Sequence, residues 1–131
     1  MDTTIVIKAV PKPQQRHRHT RKGWTYDPSK KDKAEFLLMA LKHKPTKPYK
    51  NVHLILTFSF QRPKSHYRSG KLKATSPKNH TTKPDIDNLV KFVMDALNRN
   101  FWSDDSQIFS IEAKKVYGEN YTEIKIREKY E

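Results

Sequence analysis

Between Asn51 and Gln61 the chain alternates with a period of two. Val52, Leu54, Leu56, Phe58 and Phe60 are apolar, and His53, Ile55, Thr57, Ser59 and Gln61 between them are mostly polar. Successive side chains of a strand point to opposite faces, so this run demands a sheet with one face on a core. Two helical patterns can cover that face. From about Pro84 to Asn98, Ile86, Leu89, Val90, Val93 and Leu97 form one stripe and Asp87, Lys91, Asp95 and Asn98 the other. Asp27 before Pro28 suits a helix start, and Ala34, Leu37, Leu38 and Leu41 follow at helical spacing. "TTIVIKAV" reads as a first strand stopped by Pro11, and "SQIFSIEAKKVY" and "YTEIKIRE" as an antiparallel hairpin around "GEN". The expected fold is α/β: a two-layer domain with a mixed sheet, order β-α-β-α-β-β, ending in a C-terminal antiparallel hairpin. With 131 residues and no internal repeat, a single domain over 1–131 is expected.

Such a core leaves the charge unexplained. Lys plus Arg number 27 against 14 Asp plus Glu, a formal charge of +13, which suits a polyanionic partner, nucleic acid first, over a neutral metabolite. No apolar run approaches the roughly 20 residues that span a bilayer, and "MDTTIVIKAV" lacks a signal-peptide pattern, so a cytoplasmic protein without membrane contact is expected. Cysteine is absent, which excludes disulfides, thiolate metal sites and cysteine nucleophiles. Any metal needs oxygen or imidazole ligands.

The positive charge concentrates in two aperiodic segments. "PKPQQRHRHTRKGWTY" carries Arg16, Arg18, Arg21 and Lys22, all credible phosphate contacts. Residues 62–83 hold seven Lys or Arg, no acid and almost nothing to bury. A loop of that length without secondary structure is usually functional or disordered. Because it leads directly into Asp85, a phosphate-gripping loop through Lys71, Lys73, Lys78 and Lys83 is expected.

Against that background five aspartates gather in "TTKPDIDNLVKFVMDALN" and "FWSDDSQ". Asp85 and Asp87, two apart, would point about 200° apart within a regular helix, but share a side where extended chain turns helical. Helix capping, worth about 1 kcal/mol, explains one such aspartate and leaves the other. Asp104 and Asp105 sit in ordinary turn composition, and Asp104 can simply bond its own backbone. The helix between the pairs, about 20 Å long, could carry the chain out and a return segment bring Asp105 back beside Asp87. Clustered carboxylates in a basic protein suit a hard cation such as Mg²⁺ and phosphodiester hydrolysis.

The same residues resemble a known family. "KPDIDNLVKFVMDALN" followed by "FWSDDSQI", together with "VPKPQQRHR", "DPSKKDKAEF" and the lead-in from "KSHYRSG" to "HTTKPDIDN", is similar to the RusA family of Holliday-junction resolvases over most of the chain. The resemblance implies that Asp85, Asp87 and Asp105 are catalytic metal ligands and that Lys91, one helical turn from Asp87, is a catalytic cation. It further implies Mg²⁺-dependent cleavage of four-way DNA junctions by a homodimer, with Mn²⁺ able to substitute. A two-fold dimer with one acidic site per subunit matches a junction of approximate two-fold symmetry. The competing readings are a non-catalytic nucleic-acid-binding protein, whose acids are caps and turns, and a nuclease preferring flaps or forks.

Other residues carry blander expectations. His17 and His19 lack further ligand spacing and belong with the basic loop. His53 reads as a polar-face strand residue. Phe101 and Trp102 read as core before they read as base-stacking groups.

Overall fold

In the computed structural model, which describes residues 2–129, the chain runs through β1 (Asp2–Ile7), a short hairpin of β2 (Arg18–His19) and β3 (Thr25–Tyr26), and α1 (Lys30–Ala40). It continues through β4 (Val52–Phe60), a second short hairpin of β5 (Tyr67–Arg68) and β6 (Lys71–Leu72), α2 (Ile86–Leu97), β7 (Ile108–Tyr117) and β8 (Tyr121–Glu128). Apart from the two small hairpins, the order is the expected β-α-β-α-β-β. The four long strands form one mixed sheet in the order β1-β8-β4-β7. In it β4 runs parallel to β7 and antiparallel to β8.

The last two strands run antiparallel, as expected, but they do not pair with each other. β4 lies between them, so "GEN" crosses the end of β4. Gly118 N–H donates to Phe60 O at 3.0 Å, and Asn120 Oδ1 accepts from Gln61 N–H at 2.8 Å. The crossing is tight: a Cβ on Gly118 would lie 3.0 Å from Ser59 Oγ, which explains glycine there. Alternation along β7 and β8 is the same whether they pair directly or flank a third strand, so sequence could not separate these cases.

Val52, Leu54, Leu56, Phe58 and Phe60 join Ile5, Ile7, Ile124 and Ile126 under the helices. From α2, Leu89, Phe92, Val93, Ala96 and Leu97 meet them. Full burial of a Leu or Phe side chain is worth roughly 1.5–3 kcal/mol, so this one helix face is a large part of the stability. Ile86, expected in that stripe, is 38% exposed at the helix mouth.

The register of α1 differs from the expected one. Leu38 is 70% exposed and Ala34 is also exposed, while Phe36 and Ala40 are buried. Phe36 packs edge-on against Phe92, ring centres 5.5 Å apart. The packing stripe includes Lys33, whose ammonium contacts both Asp27 and Asp95. A charged residue in the buried stripe hid it from apolar spacing. Burial alone would raise the Asp27 pKa. Hydrogen bonds from Lys33, the Ser29 N–H and Gln14 outweigh that and hold it at about 2.

Residues 62–83 are more ordered than their composition implied. A 3₁₀ turn over Lys64–His66 precedes the β5–β6 hairpin, whose turn uses Ser69 and Gly70 at positive φ. His80, within a segment expected to hold almost nothing to bury, is sandwiched between Phe60 and Tyr117 at 4.6 and 4.8 Å. Arg62 stacks 4.4 Å above Tyr117 and donates to Pro77 O at 2.7 Å. The basic segment is thus pinned beside the ends of β4 and β7.

Candidate active site

The mouth of α2 holds Asp85 and Asp87 in the expected way. Asp85 is the last extended residue, at φ −69° and ψ 140°, and Asp87 lies in the first helical turn. Asp85 occupies the N-cap position yet makes no capping hydrogen bond. An aspartate there ordinarily satisfies a free N–H of the helix. This one turns instead toward Lys83, with Nζ 3.3 Å from Oδ1. Asp87 Oδ1 accepts from the Asn88 N–H at 2.9 Å. Both carboxylates are exposed, and so is Lys91 one turn further on. Lys91 has no ion-pair partner among the described residues, which leaves its ammonium available beside the acidic pair.

Sequence reading missed Lys115. From β7 its ammonium donates to Thr82 O at 2.6 Å and to Pro84 O at 2.9 Å, on either side of a cis Lys83–Pro84 peptide bond. Lys115 thereby fixes the backbone that delivers Asp85. The only sequence signal was a lysine on the apolar side of the β7 alternation. Burial first, and the nearby Lys115 ammonium second, push the His80 pKa down. Gln14 N–H also donates to Asn88 O at 2.8 Å, tying the first basic segment to the first turn of α2.

Asp105 does not return to this mouth. α2 runs back along the sheet, and its far end leads into Phe101, whose carbonyl accepts from Tyr49 N–H at 2.8 Å, just before β4 begins. Phe101 and Trp102 are fully buried, as core. The Trp102 indole N–H donates to Asp105 Oδ1 at 2.8 Å. Asp104 caps the 3₁₀ turn Asp105–Gln107: its side chain accepts from the Ser106 N–H, and Gln107 bonds back in a capping box. Those Ser106 hydrogen bonds, aided by Arg99, hold the Asp104 pKa low. Asp85 and Asp87 thus lie at one end of α2 and Asp105 beyond the other. The 12 residues of α2 rise about 1.5 Å each, so the two ends stand about 18 Å apart. Among the described residues, no three His, Asp or Glu side chains are close enough to share one metal ion.

The expected cationic residues lie on and around the two short hairpins. Arg16, Arg18, Arg21 and Lys22 are exposed along the β2–β3 hairpin, and Lys71, Lys73 and Lys78 are exposed around β5–β6. None of these seven has an ion-pair partner among the described residues. Lys83 differs, being engaged with Asp85. Trp24, at the tip of the first hairpin and 70% exposed, was not singled out from sequence. His19 Nδ1 meets Thr25 Oγ1 at 3.0 Å and is part of that hairpin. His53 is buried under Phe109, with Nε2 3.5 Å from Glu112.

Two known proteins match parts of this sequence. An uncharacterized protein of Bacillus subtilis strain 168, YqaN, is 46% identical over 70 residues, 50% of this chain. The crossover junction endodeoxyribonuclease rusA of Lactococcus phage r1t is 40% identical over 91 residues, 67% of this chain. The matches span 49% and 65% of those relatives' own lengths. Residues 7–127 match the family described as Endodeoxyribonuclease RusA, a region that runs from the end of β1 into β8. It takes in the acidic mouth, the capped turn and both basic hairpins, and on that match the chain belongs to the RusA family of endodeoxyribonucleases.

Proposed function

We propose that this protein is a Mg²⁺-dependent, structure-selective endodeoxyribonuclease that resolves four-way DNA junctions as a homodimer. The observation that carries this reading is Asp85, a carboxylate at an N-cap that does no capping and faces outward beside Asp87. Two exposed carboxylates at one helix mouth, in a chain of net charge +13, favour a metal-dependent nuclease over a protein that only binds DNA. Mg²⁺ is commonly held by one or two carboxylates plus waters and substrate phosphate oxygens, so Asp85 and Asp87 suit it by type and exposure. Bound there, the ion would supply Lewis-acid stabilisation of the phosphate and an activated water.

The chain's own groups have separate tasks. Lys115 holds the backbone approach to Asp85 through two carbonyls. Lys91 offers a positive charge to the phosphate one helical turn from Asp87. The basic hairpins grip flanking phosphates.

The homodimer gives Asp105 its place. β7 is ten residues long and lies at the edge of the sheet, with Phe109 and Ile111 60% and 40% exposed. Beyond a bulge at Phe109 the edge runs regularly from Ser110 to Tyr117 without proline, a template for a second chain. Two copies meeting there across a two-fold axis run antiparallel, which sets the start of one β7 beside the end of the other. Asp105 stands three residues before the start, and Lys115 ties the acidic mouth to the end. The Asp105 of one subunit then approaches the Asp85 and Asp87 of its partner.

Synthetic four-way junctions, flaps, forks and linear duplex, incubated with Mg²⁺ or Mn²⁺, test the reading. Paired nicks near the branch point of the four-way junction, dependent on the metal, are expected. Asp85→Asn, Asp87→Asn and Asp105→Asn should each lower cleavage on the order of a hundredfold or more while junction binding persists. Asp104→Asn should be milder. Binding with every strand intact would leave only a nucleic-acid-binding protein, and faster cutting of flaps or forks would move the substrate there.

A further inference from the structure

Resting on that reading, we infer that Trp24 stacks on an unpaired base and so lets the enzyme tell branched DNA from plain duplex. Trp24 is placed against the interest of folding. A tryptophan removes more apolar surface from water than any other side chain when it is buried, as Trp102 is. Trp24 is 70% exposed at the tip of a hairpin that contributes nothing to the core.

The tip is built and not slack. Trp24 O accepts from Thr20 N–H at 2.7 Å, Trp24 N–H donates to Thr20 Oγ1 at 3.1 Å, and Gly23 N–H donates to Thr20 O at 3.0 Å. Gly23 takes φ +80°, which this turn requires and an L side chain resists. The base of the arm is closed as firmly. Gln14 donates to the Asp27 carboxylate, and Gln15 N–H donates to Ser29 Oγ. An aromatic ring carried on a fixed backbone loses little freedom when it meets a ligand.

Its surroundings say which ligand. Arg18, Arg21 and Lys22 accompany it on the same hairpin, exposed and without ion-pair partners among the described residues. A flat π-face among free cations is the combination that holds a base and its phosphates together. A paired base in a continuous stack has no face to offer, whereas a base splayed at a branch point does. The position agrees. Gln14 N–H, at the root of the arm, donates to Asn88 O beside the acidic mouth. Five residues lead from Gln15 to the turn at Thr20, at most about 17 Å of chain. At 3.4 Å per nucleotide step, that reach keeps the ring within about five steps of a phosphate at the mouth, on the DNA near the cut and not on a distant arm.

The chain has two tryptophans, and the other is fully buried, so quenching of tryptophan emission by acrylamide reports Trp24. Wild-type protein is titrated with a four-way junction carrying 2-aminopurine beside the branch point, with linear duplex of the same length, with single-stranded oligonucleotide and with phosphatidylglycerol vesicles. Junction and single strand should shield Trp24 from acrylamide and quench the 2-aminopurine, and duplex should do neither. Trp24→Ala should lose about tenfold of its preference for junction over duplex, and Trp24→Phe should keep most of it. Affinity for duplex should not change in either variant. Equal shielding by junction and duplex, or an unchanged preference in Trp24→Ala, overturns the inference. Shielding by vesicles and not by DNA would make the tip a membrane contact, and equally overturns it. If wild type neither prefers nor cuts junctions, the nuclease reading falls by itself. Shielding by single strand still decides whether Trp24 stacks on bases.

Discussion

Asp104 and Asp105 stand side by side and take different hydrogen-bond partners. Asp104 gives its carboxylate to the backbone of its own turn, whereas Asp105 takes its hydrogen bond from the Trp102 indole. The same contrast separates Asp85 from Asp27. Asp27 is a structural anion, bonded by Lys33, Gln14 and the Ser29 N–H. Its folded pKa of about 2 lies below the unfolded value of 3.8, so its contribution is fully present above pH 3.8 and is lost as pH falls toward 2. Asp27→Asn should cost up to about 2 kcal/mol at neutral pH, since each tenfold change in proton affinity is about 1.4 kcal/mol. The gap between variant and wild type should narrow steadily from about pH 4 downward. Urea unfolding of both proteins at several pH values checks this, and a gap independent of pH would assign the loss to packing.

At the scale of elements, the two basic segments matter because they are folded. A free cationic loop loses conformational entropy when it meets DNA, whereas residues 62–83 are already fastened by Arg62, His80 and Tyr117. Replacing Lys71, Lys73 and Lys78 together by Gln should weaken junction binding and reduce the slope of log K against log salt by about 2.7, at 0.9 per phosphate contact. An unchanged slope would shift the grip to Arg16, Arg18, Arg21 and Lys22. Which elements sequence could reveal follows from how each is buried. β4 and α2 face one core with uninterrupted apolar stripes, and both were legible. The packing stripe of α1 runs through Lys33, and the His80 stack joins residues far apart in sequence, so periodicity exposes neither. The acidic mouth was legible because Asp85 and Asp87 are local to one turn. Lys115 and the remoteness of Asp105 depend on how α2 lies along β7, which no local pattern encodes.

For the whole molecule, the proposed dimer decides how many complete sites exist. A four-way junction has approximate two-fold symmetry, so two equivalent sites related by one axis can nick two strands of like polarity in a single encounter. In that proposed dimer, a net charge of +13 per chain would hold the protein on the junction between the two cuts. Pairing two inactive subunits separates sites shared across the axis from sites confined to one chain. Asp87→Asn and Asp105→Asn subunits, carrying different tags, are co-expressed and the heterodimer is purified through both. If the carboxylates are shared, one site stays whole, with Asp85 and Asp87 from the Asp105→Asn subunit and Asp105 from its partner. The heterodimer should then nick a junction at about half the wild-type rate, although each variant homodimer is inert, and it should hold one tight Mn²⁺ site where wild type holds two. If each chain used its own Asp105, both sites would lack a carboxylate, and the heterodimer would be as inert as its parents. That second result would leave the dimer free to sit elsewhere than on β7, and the edge-to-edge pairing would have to be given up.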